Sequence, residues 1–132
     1  MGDRPRILLV DDYDPYRACV AHYLRMRLNA EVVEAGDGVA ALEQLRERTF
    51  DVLVLDVEMP QMDGVELFER VSPELGARTV FVTGGGREER RSWLEQFDSA
   101  RVLRKPVDLE RLRTVISDLA QRRGRIDHRP AR

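Results

Sequence analysis

The sequence predicts an α/β fold, a doubly wound parallel sheet of five strands with helices on both faces. Short apolar runs alternate with amphipathic stretches five times along the chain. Such alternation is typical of βαβ units, whose crossovers place helices on both sides of a parallel sheet. The apolar runs are nearly continuous, as expected for strands that are covered on both faces. A length of 132 residues favours one domain with a sizeable core.

Five runs are predicted to be strands because each is short, apolar and followed by polar or turn-forming residues. In chain order they are Arg6–Val10, Glu31–Ala35, Asp51–Asp56, Thr79–Thr83 and Arg101–Arg104. The third run, DVLVLD, is the most apolar of the five, which places it at the centre of the sheet.

Helices are predicted between the strands, and capping carboxylates mark three of their starts. Asp14 precedes Pro15, Asp63 forms a capping box with Glu66, and Asp108 begins the last helix. The expected apolar faces carry Val20, Leu24, Val39, Leu42, Leu45, Leu67, Phe68, Leu112, Ile116 and Leu119. A weakly amphipathic helix is expected over Glu88–Phe97. Because this pattern stops after Arg122, residues 1–122 are predicted to form the domain and residues 123–132 a basic, disordered tail.

Composition and charge limit the function classes. Hydrophobic residues make up 42% and charged residues 35%, and the net charge is −2, which argues against a nucleic-acid module as the main body. The last twelve residues hold five arginines and one aspartate, a net +4, so the remainder carries −6. No run approaches the roughly 20 apolar residues that span a bilayer, and MGDRPR lacks the apolar core of a signal peptide. A cytoplasmic protein is expected.

The lone cysteine and the two histidines carry no predicted chemistry. Cys19 has no partner for an internal disulfide and is expected to be a small buried residue of the first helix. His22 and His128 are expected at the surface, and two histidines without cysteine partners do not make a zinc site.

Polar residues follow four of the predicted strands. Asp11 and Asp12 end the first strand, Asp56 the third, Thr83 the fourth, and Lys105 the fifth. The carboxyl ends of parallel strands lie at one edge of the sheet, where open α/β sheets bind ligands. These residues, spread over about 95 positions of sequence, are therefore expected to converge on one pocket.

The pocket's composition indicates a metal ion and a phosphate. Three carboxylates suit Mg²⁺, which binds few protein oxygens and leaves room for phosphate oxygens. Lysine is a point-charge partner for phosphate, and a threonine hydroxyl can donate to a phosphoryl oxygen. Asp56 is ionised at neutral pH and could attack phosphorus without a base, giving an aspartyl phosphate. The adjacent Asp11 and Asp12 would hold the metal that lets phosphate approach a third carboxylate.

With these motifs in place, the chain resembles the receiver domain of bacterial two-component response regulators, of the chemotaxis-regulator type. The resemblance covers Arg6 to Arg122 and is carried by LLVDDYDPYR, LVLDVEMPQMDG, VFVTGGG and VLRKPVD, in the family's order. It implies a flavodoxin-like sheet with strand order 2-1-3-4-5. It further implies a signalling switch that accepts a phosphoryl group from a histidine kinase or phosphotransfer protein and then changes its interaction surface.

The resemblance also assigns roles to residues. Asp56 would be the phosphoacceptor, and Mg²⁺ would be held by Asp11, Asp12, Asp56 and the backbone carbonyl of Glu58. Thr83 would be the switch hydroxyl, and Lys105 would contact the phosphate, with a cis bond to Pro106. The protein would not be an enzyme beyond catalysing its own phosphoryl transfer and slow autodephosphorylation. Expected partners are the phosphodonor and an unknown target protein, without specific nucleic-acid or membrane binding, in a monomer or phosphorylation-dependent homodimer.

Two departures from the family pattern concern the output switch. Val102 stands where many receivers have a tyrosine or phenylalanine, and three glycines, Gly84–Gly86, follow Thr83. Valine has one stiff torsion and no ring to swing, whereas three glycines are expected to leave their loop unusually free. The hypothesis is that the signal runs through this glycine loop, which phosphate contact by Thr83 would order, and into the helix around Trp93.

Two other functions remain open at the level of sequence. One is a receiver-like interaction module that never turns over phosphate, against which the complete set of polar residues argues. The other is a cofactor binder of the same fold, which would need a phosphate-cradling loop after the first strand, where DDYDPYR would repel phosphate unless a metal intervened. The sequence is compatible with a stand-alone receiver and with a receiver excised from a longer chain.

Overall fold

The computed structural model describes residues 4–59 and 64–127, the last five of them by helical backbone alone. Asp63, predicted to cap a helix, and residues 128–132 of the predicted tail, including His128, lie outside the described residues. No helix within the described ranges is long and apolar enough to cross a membrane.

The predicted sheet is confirmed. Its strands are β1 (Arg6–Val10), β2 (Glu31–Ala35), β3 (Val52–Asp56), β4 (Thr79–Thr83) and β5 (Val102–Arg104). All pairings are parallel, and the strand order is β2-β1-β3-β4-β5. The direction of growth reverses at β1, so the ends of β1 and β3 flank the point where open α/β sheets form clefts.

Helices connect the strands on both faces. They are α1 (Asp14–Leu28), α2 (Gly38–Glu47), α3 (Gly64–Phe68), α4 (Pro73–Gly76), α5 (Glu88–Leu94) and α6 (Leu109–Asp127), with a 3-10 turn at Ser99–Arg101. The short α4 was not predicted, and α5 ends three residues before Phe97. Because α6 continues to Asp127, the first five residues of the segment predicted as a disordered tail are helical.

Each face of the sheet carries its own apolar core. The α1 and α6 side contains Ile7, Leu9, Val20, Leu24, Val54, Leu112, Ile116 and Leu119. The α2, α3 and α5 side contains Leu8, Val10, Leu53, Leu55, Leu67, Phe81 and Leu94. Successive residues of a strand point to opposite faces, which is why the strands read as continuous apolar runs. This double cover fixes the strand ends at one rigid edge.

Three side chains differ from their predicted surroundings. Cys19 is exposed, because α1 turns Val20, Ala21 and Leu24 toward the sheet and places Cys19 on the opposite side. Val39 is 50% exposed, since α2 buries Gly38 and Ala41 instead. Asp14 is the first residue of α1 and not its cap.

The cap position of α1 belongs to Tyr13, whose backbone is extended and whose side chain makes no capping bond. The Asp14 carboxylate instead accepts the Arg17 guanidinium at 2.8 Å. Asp108 does cap α6, because its Oδ1 accepts the Arg111 N–H at 3.2 Å.

Candidate functional site

The predicted convergence at the carboxyl edge of the sheet is confirmed for Asp11, Asp12, Asp56 and Lys105. Asp11 and Asp56 are 3% and 2% exposed, and Asp12 beside them is exposed. One carboxylate oxygen from each of the three lies within 4.8 Å of the others. Asp11 and Asp12 follow β1 and Asp56 ends β3, so the neighbouring positions of these two strands bring the charges together.

Lys105 bridges the two buried carboxylates. Its Nζ lies 3.1 Å from Asp11 Oδ2 and 3.1 Å from Asp56 Oδ2, which confirms the expected pairing with Asp56 in the resting chain. The Lys105–Pro106 bond is cis, as the resemblance implied. The Lys105 N–H donates to the Thr83 carbonyl at 2.8 Å, extending the β4–β5 pairing one residue past β5. The ammonium also lies 5.3 Å from the centre of the Tyr16 ring, within range of a cation–π contact.

The first turn of α1 holds Asp11 in place, a feature that sequence reasoning missed. The Tyr13 N–H donates to Asp11 Oδ1 at 2.9 Å, and the Arg17 guanidinium donates to the Asp11 carbonyl at 2.7 Å. Arg17 also pairs with Glu34 at 3.1 Å and with Asp14. Only the spacing of Arg17, six residues after Asp11, hinted at this contact. The Arg17 guanidinium therefore fixes the backbone of Asp11 and brings a positive charge close to the acidic edge.

Two backbone features hold Asp56. The Glu58 N–H donates to Asp56 Oδ1 at 2.9 Å. A Cβ on Gly64 would lie 2.4 Å from the Val57 Cα and 2.8 Å from the Asp56 carbonyl oxygen. Glycine is therefore required at position 64, because the start of α3 packs directly on the backbone that follows Asp56.

Burial dominates the protonation behaviour of Asp56. It raises the pKa of Asp56 from 3.8 to about 6, even though the Glu58 N–H and the Lys105 ammonium lower it, and the Asp11 charge adds to the rise. Burial lowers the pKa of Lys105, but its bonds to Asp56 and Asp11 outweigh this effect, so that pKa lies above its ordinary value. At neutral pH the ammonium is charged and most of the Asp56 carboxyl is ionised.

Thr83 faces Glu58, whose side chain sequence reasoning did not use. The Thr83 hydroxyl donates to Glu58 Oε2 at 3.3 Å and accepts the Gly85 N–H at 3.1 Å. The Glu58 carboxylate also accepts the N–H groups of Gly84 and Gly86. All three glycine N–H groups are therefore hydrogen-bonded in the resting chain, whereas the sequence predicted an unusually free loop that phosphate contact would order.

The donor set fits a hard divalent cation. Asp11, Asp12, Asp56 and the Lys105 ammonium together have a formal net charge of −2, which one divalent ion would balance. Carboxylate oxygens without cysteine or histidine are the ligands that Mg²⁺ prefers and Zn²⁺ does not.

Comparison with known proteins identifies the family. The family model described as the response regulator receiver domain matches residues 7–117. The chain belongs to the response regulator receiver domain family. Receiver domains are signalling modules of two-component systems, and phosphorylation switches them between two states. They generally bind Mg²⁺ at an acidic pocket.

Curated relatives extend over a longer chain than this receiver domain. An uncharacterized response regulatory protein of Vibrio cholerae is 32% identical over 125 residues, covering 93% of this chain and 52% of that protein. The rice two-component response regulator ORR24 is 33% identical over 121 residues, covering 90% of this chain and 19% of its own length. The receiver domain thus spans between about a fifth and a half of these two relatives.

Solved structures share the fold. The Vibrio cholerae chemotaxis protein CheY4 is 27% identical, with a TM-score of 0.74 over 89% of this chain and 99% of that one. A CheY-like receiver domain protein from Methanospirillum hungatei has a TM-score of 0.80 at 22% identity, over 93% and 98% of the two chains, and supports the fold alone.

Proposed function

We propose that this receiver domain accepts a phosphoryl group on Asp56 from a histidine kinase or a phosphotransfer protein. The observation that carries the proposal is the constellation around Asp56: a buried carboxylate at the end of β3, close to the acidic pair Asp11 and Asp12 and bonded to the Lys105 ammonium. Its pKa of about 6 leaves Asp56 mostly ionised at neutral pH and thus ready to act as nucleophile.

The transfer is a displacement at phosphorus. An Asp56 carboxylate oxygen forms a bond to the phosphorus atom while the bond from phosphorus to the donor imidazole nitrogen breaks, and the electron pair leaves with the imidazole. Asp11, Asp12, Asp56 and the backbone carbonyl of Glu58 would hold Mg²⁺, which supplies charge neutralisation for the phosphoryl oxygens when it is bound.

Lys105 and Thr83 would bind the phosphoryl group once it is attached to Asp56. The ammonium, which bridges Asp11 and Asp56 at rest, exchanges its bond to Asp56 for one to a phosphoryl oxygen and keeps Asp11 as its second partner. The Thr83 hydroxyl donates to another phosphoryl oxygen. These exchanges give the phosphorylated and resting states different contacts, which is what a two-state switch requires.

The remaining proposals concern the setting of the domain. The phosphoryl group would be lost slowly by autodephosphorylation, and the phosphorylated surface would bind an unidentified target protein. Both a monomer and a phosphorylation-dependent homodimer are compatible with this function. Residues 1–122 as the functional domain, and a cytoplasmic location, stay predictions from the sequence.

Intact-mass measurement after treatment with a small acyl phosphate and Mg²⁺ tests the proposal. The wild type should gain one phosphate, and Asp56→Asn, which keeps the shape but removes the nucleophile, should gain none. Asp118→Asn, an exposed position on α6, is the matched control and should be labelled like the wild type. Equal labelling of Asp56→Asn would contradict the assignment. No labelling of any of these proteins would favour an interaction module without phosphate turnover.

A further inference from the structure

The side chain of Glu58 crosses from the loop after β3 into the loop between β4 and α5. Its Oε1 accepts the Gly84 N–H at 2.7 Å, and its Oε2 accepts the Gly86 N–H at 2.8 Å. The Thr83 hydroxyl is a third donor, at 3.3 Å from Oε2. Hydrogen bonds to an ionised carboxylate are roughly twice as strong as those between neutral groups. We call this arrangement of Glu58 with Thr83, Gly84 and Gly86 the Glu58 clasp.

The glycines match the carboxylate that they surround. A Cβ on Gly86 would lie 2.0 Å from Glu58 Oε2 and 2.8 Å from its Cδ, and a Cβ on Gly84 would lie 3.2 Å from Oε1. Of the three glycines, only Gly85 has a positive φ, of 85°. A Cβ at position 86 therefore fits only if the Glu58 carboxylate moves away, whereas the backbone conformation there does not call for glycine.

In the Glu58 clasp, the hydroxyl hydrogen of Thr83 that the proposed switch requires is already bonded to Glu58. The Thr83 hydroxyl has one hydrogen, which it donates to Glu58, and its oxygen accepts the Gly85 N–H. A phosphoryl group on Asp56 can receive that hydrogen only if Thr83 gives up its bond to Glu58. Glu58 and the phosphoryl group therefore compete for the same donor.

Charge adds to this competition. A phosphoryl group brings a charge of about −1.5 to −2 at neutral pH. The Glu58 backbone N–H is bonded to Asp56 and its carboxylate is bonded to Thr83, so the negative side chain stands next to the phosphorylation site. Like charges at this range repel, and burial strengthens the repulsion. Phosphorylation thus removes one donor from the clasp and pushes the carboxylate outward.

We propose that Glu58 is a positioning residue that holds Thr83 and the glycine loop in the resting state, and that phosphorylation of Asp56 expels its carboxylate from the loop. The expulsion of Glu58 on phosphorylation, the switching half of this proposal, rests on the proposed function. The resting half is the claim that Glu58 holds Thr83 and the glycine loop before phosphorylation. The resting half is independent of phosphate chemistry.

The loop connects the clasp to a surface cavity. Gly85 and Thr83 line a cavity of about 330 Å³ together with Leu94, Phe97 and Val102. The Arg91 guanidinium donates to the Gly85 and Gly86 carbonyls, at 3.3 Å and 3.0 Å. Release of the clasp changes one wall of this cavity and the start of α5. The small Val102 side chain does not have to rotate for this change to occur.

The resting half is tested by amide hydrogen exchange without phosphate or Mg²⁺. Glu58→Ala should raise the exchange rate at position 86 by roughly tenfold or more, the effect of losing a bond to a charged acceptor. Gly86→Ala should do the same while keeping the charge, because the new methyl group displaces the carboxylate. Glu69→Ala, at the exposed glutamate that directly follows α3, is the control and should leave the rate unchanged. Unchanged exchange in Glu58→Ala would overturn the clasp.

The switching half is tested with beryllofluoride and Mg²⁺ as a phosphoryl mimic. In the wild type, exchange at Gly86 should rise toward the rate of Glu58→Ala, and Glu58→Ala should show no further rise. Because Thr83 is already released in Glu58→Ala and Gly86→Ala, both should bind beryllofluoride roughly threefold to tenfold more tightly than the wild type. A merely structural role for Glu58 would weaken this binding in both variants.

The outcomes separate the two proposals. Beryllofluoride that binds at Asp56 while Gly86 keeps its resting exchange rate would overturn the expulsion of Glu58 and leave the proposed function intact. If Glu58→Ala but not Gly86→Ala bound beryllofluoride more tightly than the wild type, the effect would come from the lost charge alone. That result would also overturn the proposed expulsion of Glu58. Failure of the wild type to bind beryllofluoride would overturn the proposed function together with the switching half, whereas the exchange measurement at rest would still decide the clasp.

Discussion

Replacing Asp56 with asparagine should make the resting protein more stable at neutral pH, although the residue is the proposed phosphoacceptor. The Asp56 side chain is 2% exposed, and burial is the main cause of its raised pKa. Asparagine resembles the protonated acid in shape and can still accept the Glu58 N–H. The substitution therefore removes a buried charge without removing the hydrogen bond that orients the side chain.

The magnitude follows from the pKa. A rise from 3.8 in the unfolded chain to about 6 in the folded one means that ionised Asp56 destabilises the fold. The difference between the two pKa values corresponds to roughly 3 kcal/mol, with the attraction to Lys105 already included. This value is an upper bound on the free energy of unfolding that Asp56→Asn can gain. We expect Asp56→Asn to gain about 1 to 3 kcal/mol above pH 7.

The pH dependence has a definite sign. The folded state holds the Asp56 proton more tightly than the unfolded state, so this residue lowers wild-type stability as the pH rises from about 4 to above 6. The advantage of Asp56→Asn should therefore be small near pH 4 and reach a plateau above pH 7. Millimolar Mg²⁺ should reduce the stability advantage of Asp56→Asn over the wild type, because the metal stabilises only the protein that keeps all three carboxylates.

Urea unfolding, followed by the fluorescence of the single tryptophan, measures the effect. Trp93 packs against Phe68, Phe81 and Phe97, so its emission should report the loss of the core. Unfolding curves at several pH values, in chelator and in Mg²⁺, give the free energy of unfolding for both proteins. A variant that is no more stable than the wild type above pH 7 in chelator would refute the reasoning, as would an advantage independent of pH.

Two further variants test the other charges of the site. Asp12→Ala should abolish the rise in melting temperature that Mg²⁺ gives the wild type, and should stabilise the metal-free protein by up to about 1 kcal/mol, since Asp12 is exposed; a wild type whose melting temperature ignores millimolar Mg²⁺ would contradict this. Lys105→Ala should still be labelled at Asp56 by acyl phosphate. The change in amide exchange at Gly86 and the binding of its target should both be weaker, because the ammonium no longer stabilises the phosphorylated state. A labelled Lys105→Ala protein with a wild-type response would show that this role is wrong.

The sequence by itself determined the layout of the sheet and predicted which polar residue types gather at its edge. The continuous apolar runs predicted buried parallel strands, because a strand covered on both faces has no polar side. The polar residues after four of those runs then had to meet, since the carboxyl ends of parallel strands share one edge. Periodicity was less reliable on helices, where Cys19 and Val39 lie outside the buried faces despite their apolar character.

Tertiary structure decided the contacts between loops. Nothing in the local sequence says that the Glu58 side chain reaches 28 residues along the chain to Gly86, or that the N–H groups of Gly84 and Gly86 bind its carboxylate where a free loop was expected. It also decided the pKa of Asp56, because desolvation depends on how completely α3 and the neighbouring strands cover the end of β3. A sequence pattern reports what each residue can do, whereas the distance between two loops and the exclusion of water exist only once both cores have packed.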